Sequence, residues 1–166
     1  MRRVVLGAIA RTAAVVAATL LLYFFVPVDG FNEHNPAAAW FRLAVVALVF
    51  LGAMSFQVRR VAYAKAPLVR AAEGIVQIVV LFVSLFSLLY TAIATSDPLA
   101  FTEPLDRLDA LYFTTTTLAT VGFGDITPVT DLARAVVTVQ MLAGLGLLVV
   151  VGRAFLFAAK RPRPQA

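Results

Sequence analysis

The stretch Thr114 to Pro128 reads TTTTLATVGFGDITP. It completes a segment, Asp106 to Ala119, whose 14 residues predict a helix about 21 Å long at 1.5 Å per residue, short of the ~30 Å hydrocarbon core of a bilayer. Pro104 precedes that helix, and proline suits a helix start. Asp106 and Asp109 fall where the positive end of the helix dipole favours carboxylates. Gly122 and Gly124 come next, spaced by one residue, and glycine takes the positive φ that other residues resist. Backbone of that kind lets successive carbonyls face one side, so several chains around an axis could present stacked rings of oxygen to a cation. The negative C-terminal end of the short helix would favour a cation in the same place.

Working outward, 61% of the 166 residues are hydrophobic and only 14% charged, far from the usual soluble balance. Four stretches are long and apolar enough to cross a membrane: Val4 to Val26, Ala37 to Phe56, Ile75 to Thr95 and Leu132 to Ala158. Polar turns follow the first span (Pro27, Asp29, Gly30, Asn32, Asn35, Pro36) and the third (Ser96, Asp97, Pro98, Glu103, Pro104). The short helix and its glycine loop lie between the third and fourth spans, so the chain is read as entering the membrane there and returning to the same side. Non-helical backbone at that depth is tolerated only when packed in protein or facing a water-filled path.

Eleven of the 14 basic residues, Arg2, Arg3, Arg11, Arg59, Arg60, Lys65, Arg70, Arg153, Lys160, Arg161 and Arg163, flank one side, with Glu73 its lone carboxylate. By the positive-inside rule that side is the cytoplasm, and both termini fall there. Arg2 and Arg3 before an apolar run also suggest a cleaved signal peptide. The run ends in Phe24, Phe25, Val26 and Pro27 rather than in small residues, so a retained anchor is expected, with Arg11 snorkelling to the inner interface. The high pI is accounted for by this topology signal, and no nucleic-acid motif accompanies it. There is no cysteine, which excludes thiolate metal sites, disulfides and cysteine nucleophiles. No catalytic constellation is present, and no enzyme activity or cofactor is expected.

Thr114 to Pro128 closely resembles the pore helix and selectivity filter of potassium channels, whose signature is a string of this kind. The resemblance covers about the last 90 residues, with the third span as outer helix, Asp106–Ala119 as pore helix and the fourth span as inner helix. It implies a homotetramer in which the carbonyls of Thr120, Val121, Gly122 and Phe123, with the Thr120 hydroxyl, replace the hydration shell of permeant K+, and Gly124 completes the filter. Asp125 is read as a filter-bracing acceptor, supported by Tyr112, Phe113 and Thr116. Phe123 stands where tyrosine is commoner, Tyr112 and Phe113 where many relatives carry tryptophans, and Thr116 where some carry a glutamate. Thr127 lies at the outer mouth.

Other residues have blander readings. Threonines in apolar helices usually bond to their own backbone, which leaves Thr120 as the one direct side-chain ligand. His34 is a solvated loop residue, and Trp40 and Phe41 look like an interfacial belt. Arg59, Arg60, Lys65 and Arg70 lack the every-third-residue spacing of a voltage sensor, and Pro67 sets them in a loop. They are read as a topology signal that touches anionic lipid. Gln140 either lines the pore or bonds to a neighbouring helix. The resemblance aligns Gly144 with an inner-helix gating hinge, Gly146 being a second candidate, while close helix packing is the alternative for both.

The fold class is therefore an all-α integral membrane protein: residues 1–73 form a two-helix segment and basic linker, 74–159 the pore domain and 160–166 a short basic tail. The expected function is passive K+ conduction by a multi-pass protein of the cell membrane, in a host with the alanine- and arginine-rich composition of a high-GC bacterium. A weakly selective cation channel and a nonconducting accessory subunit are the alternatives. Four aromatic faces at the mouth hold a quaternary ammonium by cation–π attraction, so Thr127→Tyr is expected to tighten external tetraethylammonium block. Unchanged block in a conducting variant would remove Thr127 from the mouth.

Overall fold

A computed structural model of the chain describes residues 2–25, 48, 52, 55–56 and 67–159. Through them run α1 (Arg2–Phe25), α2 (Pro67–Ser96), α3 (Arg107–Leu118) and α4 (Asp131–Ala159). Among the described residues no strand forms, only a lone antiparallel bridge between Phe101 and Pro128, and three helices, α1, α2 and α4, are long and apolar enough to span a membrane. α3 has 12 residues. The expected second span, apart from positions 48, 52, 55 and 56, lies outside the described residues, as do His34, Trp40, Phe41, Arg59, Arg60, Lys65 and the 160–166 tail.

α2 begins at Pro67, earlier than the apolar stretch from Ile75, and so takes in Arg70, correcting the loop expected there. Proline serves as a first helical residue because its missing N–H would have had no intrahelical partner. Hydropathy marks the lipid boundary, and a helix can outrun it.

α1 packs along α2. Ala8, Thr19 and Tyr23 are buried, as is the Thr12 hydroxyl, and spacings of four, seven and four place these residues on one helical face. Thr19 bonds back to the Val15 carbonyl at 2.9 Å. Arg11 reaches Glu73 at 2.9 Å with 57% of its side chain exposed, so the pair is worth at most ~1 kcal/mol.

The core lies where α2, α3 and α4 meet, around Phe82, Phe86, Tyr90, Phe101 and Phe113. Tyr90 meets Phe101 and Phe113 edge-on, at 5.7 and 5.2 Å between centroids. Between helices in lipid the hydrophobic effect gives little drive, and packing and hydrogen bonds hold the bundle. One amide supplies the bonds here. Gln140 of α4, fully buried, donates from Nε2 to the Thr114 carbonyl of α3 at 3.0 Å and accepts at Oε1 from the Tyr90 hydroxyl of α2.

Interhelical bonds of this kind contribute ~0.6 kcal/mol on average and up to ~1.7. Gln140→Leu is expected to cost about 1–3 kcal/mol, because it strands the Tyr90 hydroxyl as well as losing both bonds. Adding Tyr90→Phe is then expected to restore part of the loss, as read by thermal unfolding in micelles. A double variant weaker than Gln140→Leu by the whole Tyr90→Phe cost would show that the three groups act separately.

Candidate ion-conduction site

α3 starts with a complete capping box: the Asp106 carboxylate accepts from the Asp109 N–H at 2.8 Å, and Asp109 accepts from the Asp106 N–H at 3.1 Å. Two otherwise orphaned donors are satisfied. Its neighbours' N–H groups hold the Asp106 carboxyl below the usual carboxylate range, that of Asp109 most strongly. Along α3, Thr115 bonds back to the Leu111 carbonyl and Thr116 to that of Phe113. The Thr114 hydroxyl is buried without a partner. The threonine run therefore serves the helix and its packing.

At the C-terminal end the helix carbonyls receive the N–H groups of the following loop. Thr117 accepts from Thr120 at 3.1 Å, and Thr116 accepts from Val121 at 2.9 Å and from Gly122 at a longer 3.4 Å. In a trans peptide the N–H and C=O point opposite ways. Two successive N–H groups turned onto Thr116 thus put the carbonyls of Thr120 and Val121 on the far side, away from α3. Thr120, Gly122 and Gly124 all have positive φ, at 57, 54 and 81°, with Val121 and Phe123 between them. For a threonine that conformation costs about 1–3 kcal/mol unless its surroundings impose it. The bonds from Thr120 and Val121 to α3 impose it here.

The sequence-predicted support residues meet in part. The Tyr112 hydroxyl donates to Asp125 Oδ2 at 2.7 Å, and the Tyr112 ring lies parallel to that of Phe123, 6.4 Å between centroids. This bond, followed by the Ile126 N–H, holds the Asp125 carboxyl below the ordinary carboxylate range, and the same carboxylate raises the Tyr112 hydroxyl. Phe113 points instead into the core, and Thr116 contributes its backbone carbonyl rather than its side chain. Thr127 donates its N–H to the Thr102 hydroxyl at 2.9 Å, and that hydroxyl donates to the Asp125 carbonyl at 3.2 Å. Thr102 escaped sequence reading, since a lone loop threonine carries no signal. Gln140 takes the interhelical alternative.

The two glycines of α4 differ. A Cβ on Gly144 would lie 3.1 Å from Leu118 Cδ1, whereas Gly146 has nothing within 4 Å. Beside Gly144 a recess of about 330 Å³ is lined by Thr117, Thr120, Gly122, Leu145 and Leu148 among others.

The helices and this loop define an all-α membrane protein of the ion-channel class, and residues 78–158 match the family model described as "Ion channel". The chain is 37% identical over 59 residues to a calcium-gated potassium channel of Thermoplasma volcanium, covering 36% of this chain and 17% of that protein. It is 38% identical over 84 residues to an inward rectifier potassium channel of Paramagnetospirillum magnetotacticum, covering 50% and 27%. With a probable potassium channel protein of Methanocaldococcus jannaschii it shares 41% over 46 residues, covering 28% and 13%. No solved structure matches. Over these segments the chain is similar to potassium channels, and the matched segments span no more than 27% of these relatives' length.

Because the Asp125 carboxyl is depressed, its bond to Tyr112 is fully present above the ordinary aspartate range and lost as pH falls through the lowered value. Tyr112→Phe is expected to raise the Asp125 pKa, so any acid-induced loss of current begins at higher pH in the variant. Identical acid limbs in bilayer recordings would show that Tyr112 does not set the Asp125 titration.

Proposed function

We propose that the chain is one subunit of a homotetrameric channel that conducts K+ passively and selectively, with Thr120, Val121, Gly122, Phe123 and Gly124 as its filter. The observation that carries this reading is the turning of the Val121 and Gly122 N–H groups onto the Thr116 carbonyl. It leaves successive carbonyls facing away from α3, where a cation can replace water with oxygen. The Thr120 hydroxyl adds a ligand at the inner end.

More than one chain is needed. Residues 119–125 are all exposed in the single chain, with Val121 at 53% and Phe123 at 70%, and irregular backbone cannot face lipid. Neighbouring copies would cover it, together with Val139, Met141, Leu142, Leu145 and Leu148 of α4, which are also exposed. The family pattern supplies the number four. In this reading α3 enters from outside, both termini are cytoplasmic in a bacterial membrane, and Arg59, Arg60, Lys65 and Arg70 attract anionic lipid at ~1 kcal/mol each. The chemistry is ion flow without catalysis, and K+ is cargo.

Purified protein in bilayers, with K+ on one side and Na+ on the other, is expected to reverse near the K+ equilibrium potential, and its mass in nanodiscs to correspond to four copies. Reversal near zero in that gradient would favour the weakly selective alternative. Absence of any flux from an intact tetramer would favour an accessory subunit.

A further inference from the structure

Arg107 is the first residue of α3, where a positive charge opposes the helix dipole by about 0.3–1 kcal/mol. Its partner explains the placement. The guanidinium Nη1 donates to the backbone carbonyl of Tyr23, in the last turn of α1, a helix with no basic residue of its own there. A cation misplaced on one helix thus caps the carbonyl end of another. The contact is reciprocal, since the Tyr23 hydroxyl donates to the Arg107 carbonyl at 2.5 Å and the guanidinium carbon lies 5.9 Å from the Tyr23 ring centroid, within cation–π range. Tyr23 is completely buried, its hydroxyl beside those of Thr91 and Ser87 on α2. Further along α1, Arg11 pairs with Glu73.

We propose that α1 is a strut for the pore helix: the Tyr23–Arg107 joint and the Arg11–Glu73 pair seat it along α2 and fix where α3 begins, making Tyr23 and Arg107 positioning residues for the loop at the other end of α3. The inference rests on reading residues 120–124 as the filter. Its leverage is mechanical. α3 is a rigid rod about 18 Å long, and a tilt of about 5° at its start moves its far end by about 1.5 Å. The Thr116 carbonyl at that far end receives the Val121 and Gly122 N–H groups at 2.9 and 3.4 Å, bonds that such a movement breaks.

The full chain in nanodiscs tests this by amide hydrogen exchange, with Tyr23→Phe, Arg107→Met and Arg107→Lys. Tyr23→Phe changes one hydroxyl on a different helix, yet exchange at residues 119–124 is expected to quicken by about fivefold or more, with α4 amides unchanged. Arg107→Met is expected to match it, and Arg107→Lys to fall nearer the wild type because it keeps a cation for the Tyr23 carbonyl. Channel bursts in bilayers are expected to shorten in the same order at unaltered reversal potential. Unchanged exchange and bursts in folded Tyr23→Phe would overturn the strut while leaving K+ conduction by the wild type intact. A wild type without K+ current, whose loop exchange still responds to Tyr23→Phe, would uphold the strut and remove the conduction reading. Should Arg107→Met fail to assemble, Tyr23→Phe decides alone.

Discussion

Inside a bilayer a peptide group has no water to turn to, and each one left without a partner costs several kcal/mol. In the proposed reading the loop after α3 lies at that depth, and it meets the constraint by giving the N–H groups of Thr120, Val121 and Gly122 to the last carbonyls of the helix before it. The Thr116 and Thr117 carbonyls of α3's C-terminal turn, orphaned in any helix, are thereby used. The carbonyls of the loop are left facing the other way. One arrangement satisfies the donors on one side and frees the acceptors on the other, and it works only if α3 ends at Leu118 and stays where it is.

Much of the remaining structure holds α3 still. Its start is closed by the Asp106–Asp109 capping box, its middle is tied to α2 and α4 through Thr114, Gln140 and Tyr90, and its flank is packed by Ala110 and Phe113 in the aromatic core. Beyond the glycines, the Tyr112–Asp125 bond returns the chain toward the helix. Bonds from Thr102 to Thr127 and from Val129 to the Ala100 carbonyl then fasten that return to the loop leaving α2. Each contact contributes little, on the order of 1 kcal/mol. They act on a single rigid helix, so their effects on its position combine.

The sequence made the spans, the short helix and the glycine loop legible, because each is written in local chemistry: apolar length, acidic caps and a GxG spacing. The short helix was placed within one residue at either end, since Asp106 and Ala119 are its caps. Partnerships across helices were not legible. Gln140 had two readings because an amide in an apolar helix carries no record of its partner. Nothing in the sequence around Arg107 marks its partner, because its role depends on the C-terminal end of α1, 84 residues earlier. Pro67 was read as a loop residue, although proline disturbs a helix interior far more than a helix start. The assignments of Arg59, Arg60 and Lys65 fall outside the described residues.

Gly144 and Gly146 show how packing separates two residues that sequence treats alike. A helix-interior glycine costs about 1 kcal/mol relative to alanine, so each needs a return. For Gly144 the return lies within the chain: α4 approaches the end of α3 so closely that a single added carbon would press on Leu118. α4 is unbroken from Asp131 to Ala159, and a bend at Gly144 would carry that contact with it, displacing the residue that follows the threonine run and hence the carbonyls on which the loop hangs. Packing and hinge are therefore not rival roles at this position, because movement there reaches the loop through Leu118. Gly146 meets no such neighbour among the described residues. Alanine at the two positions therefore perturbs different things, pressing on Leu118 at the first and meeting no described neighbour at the second.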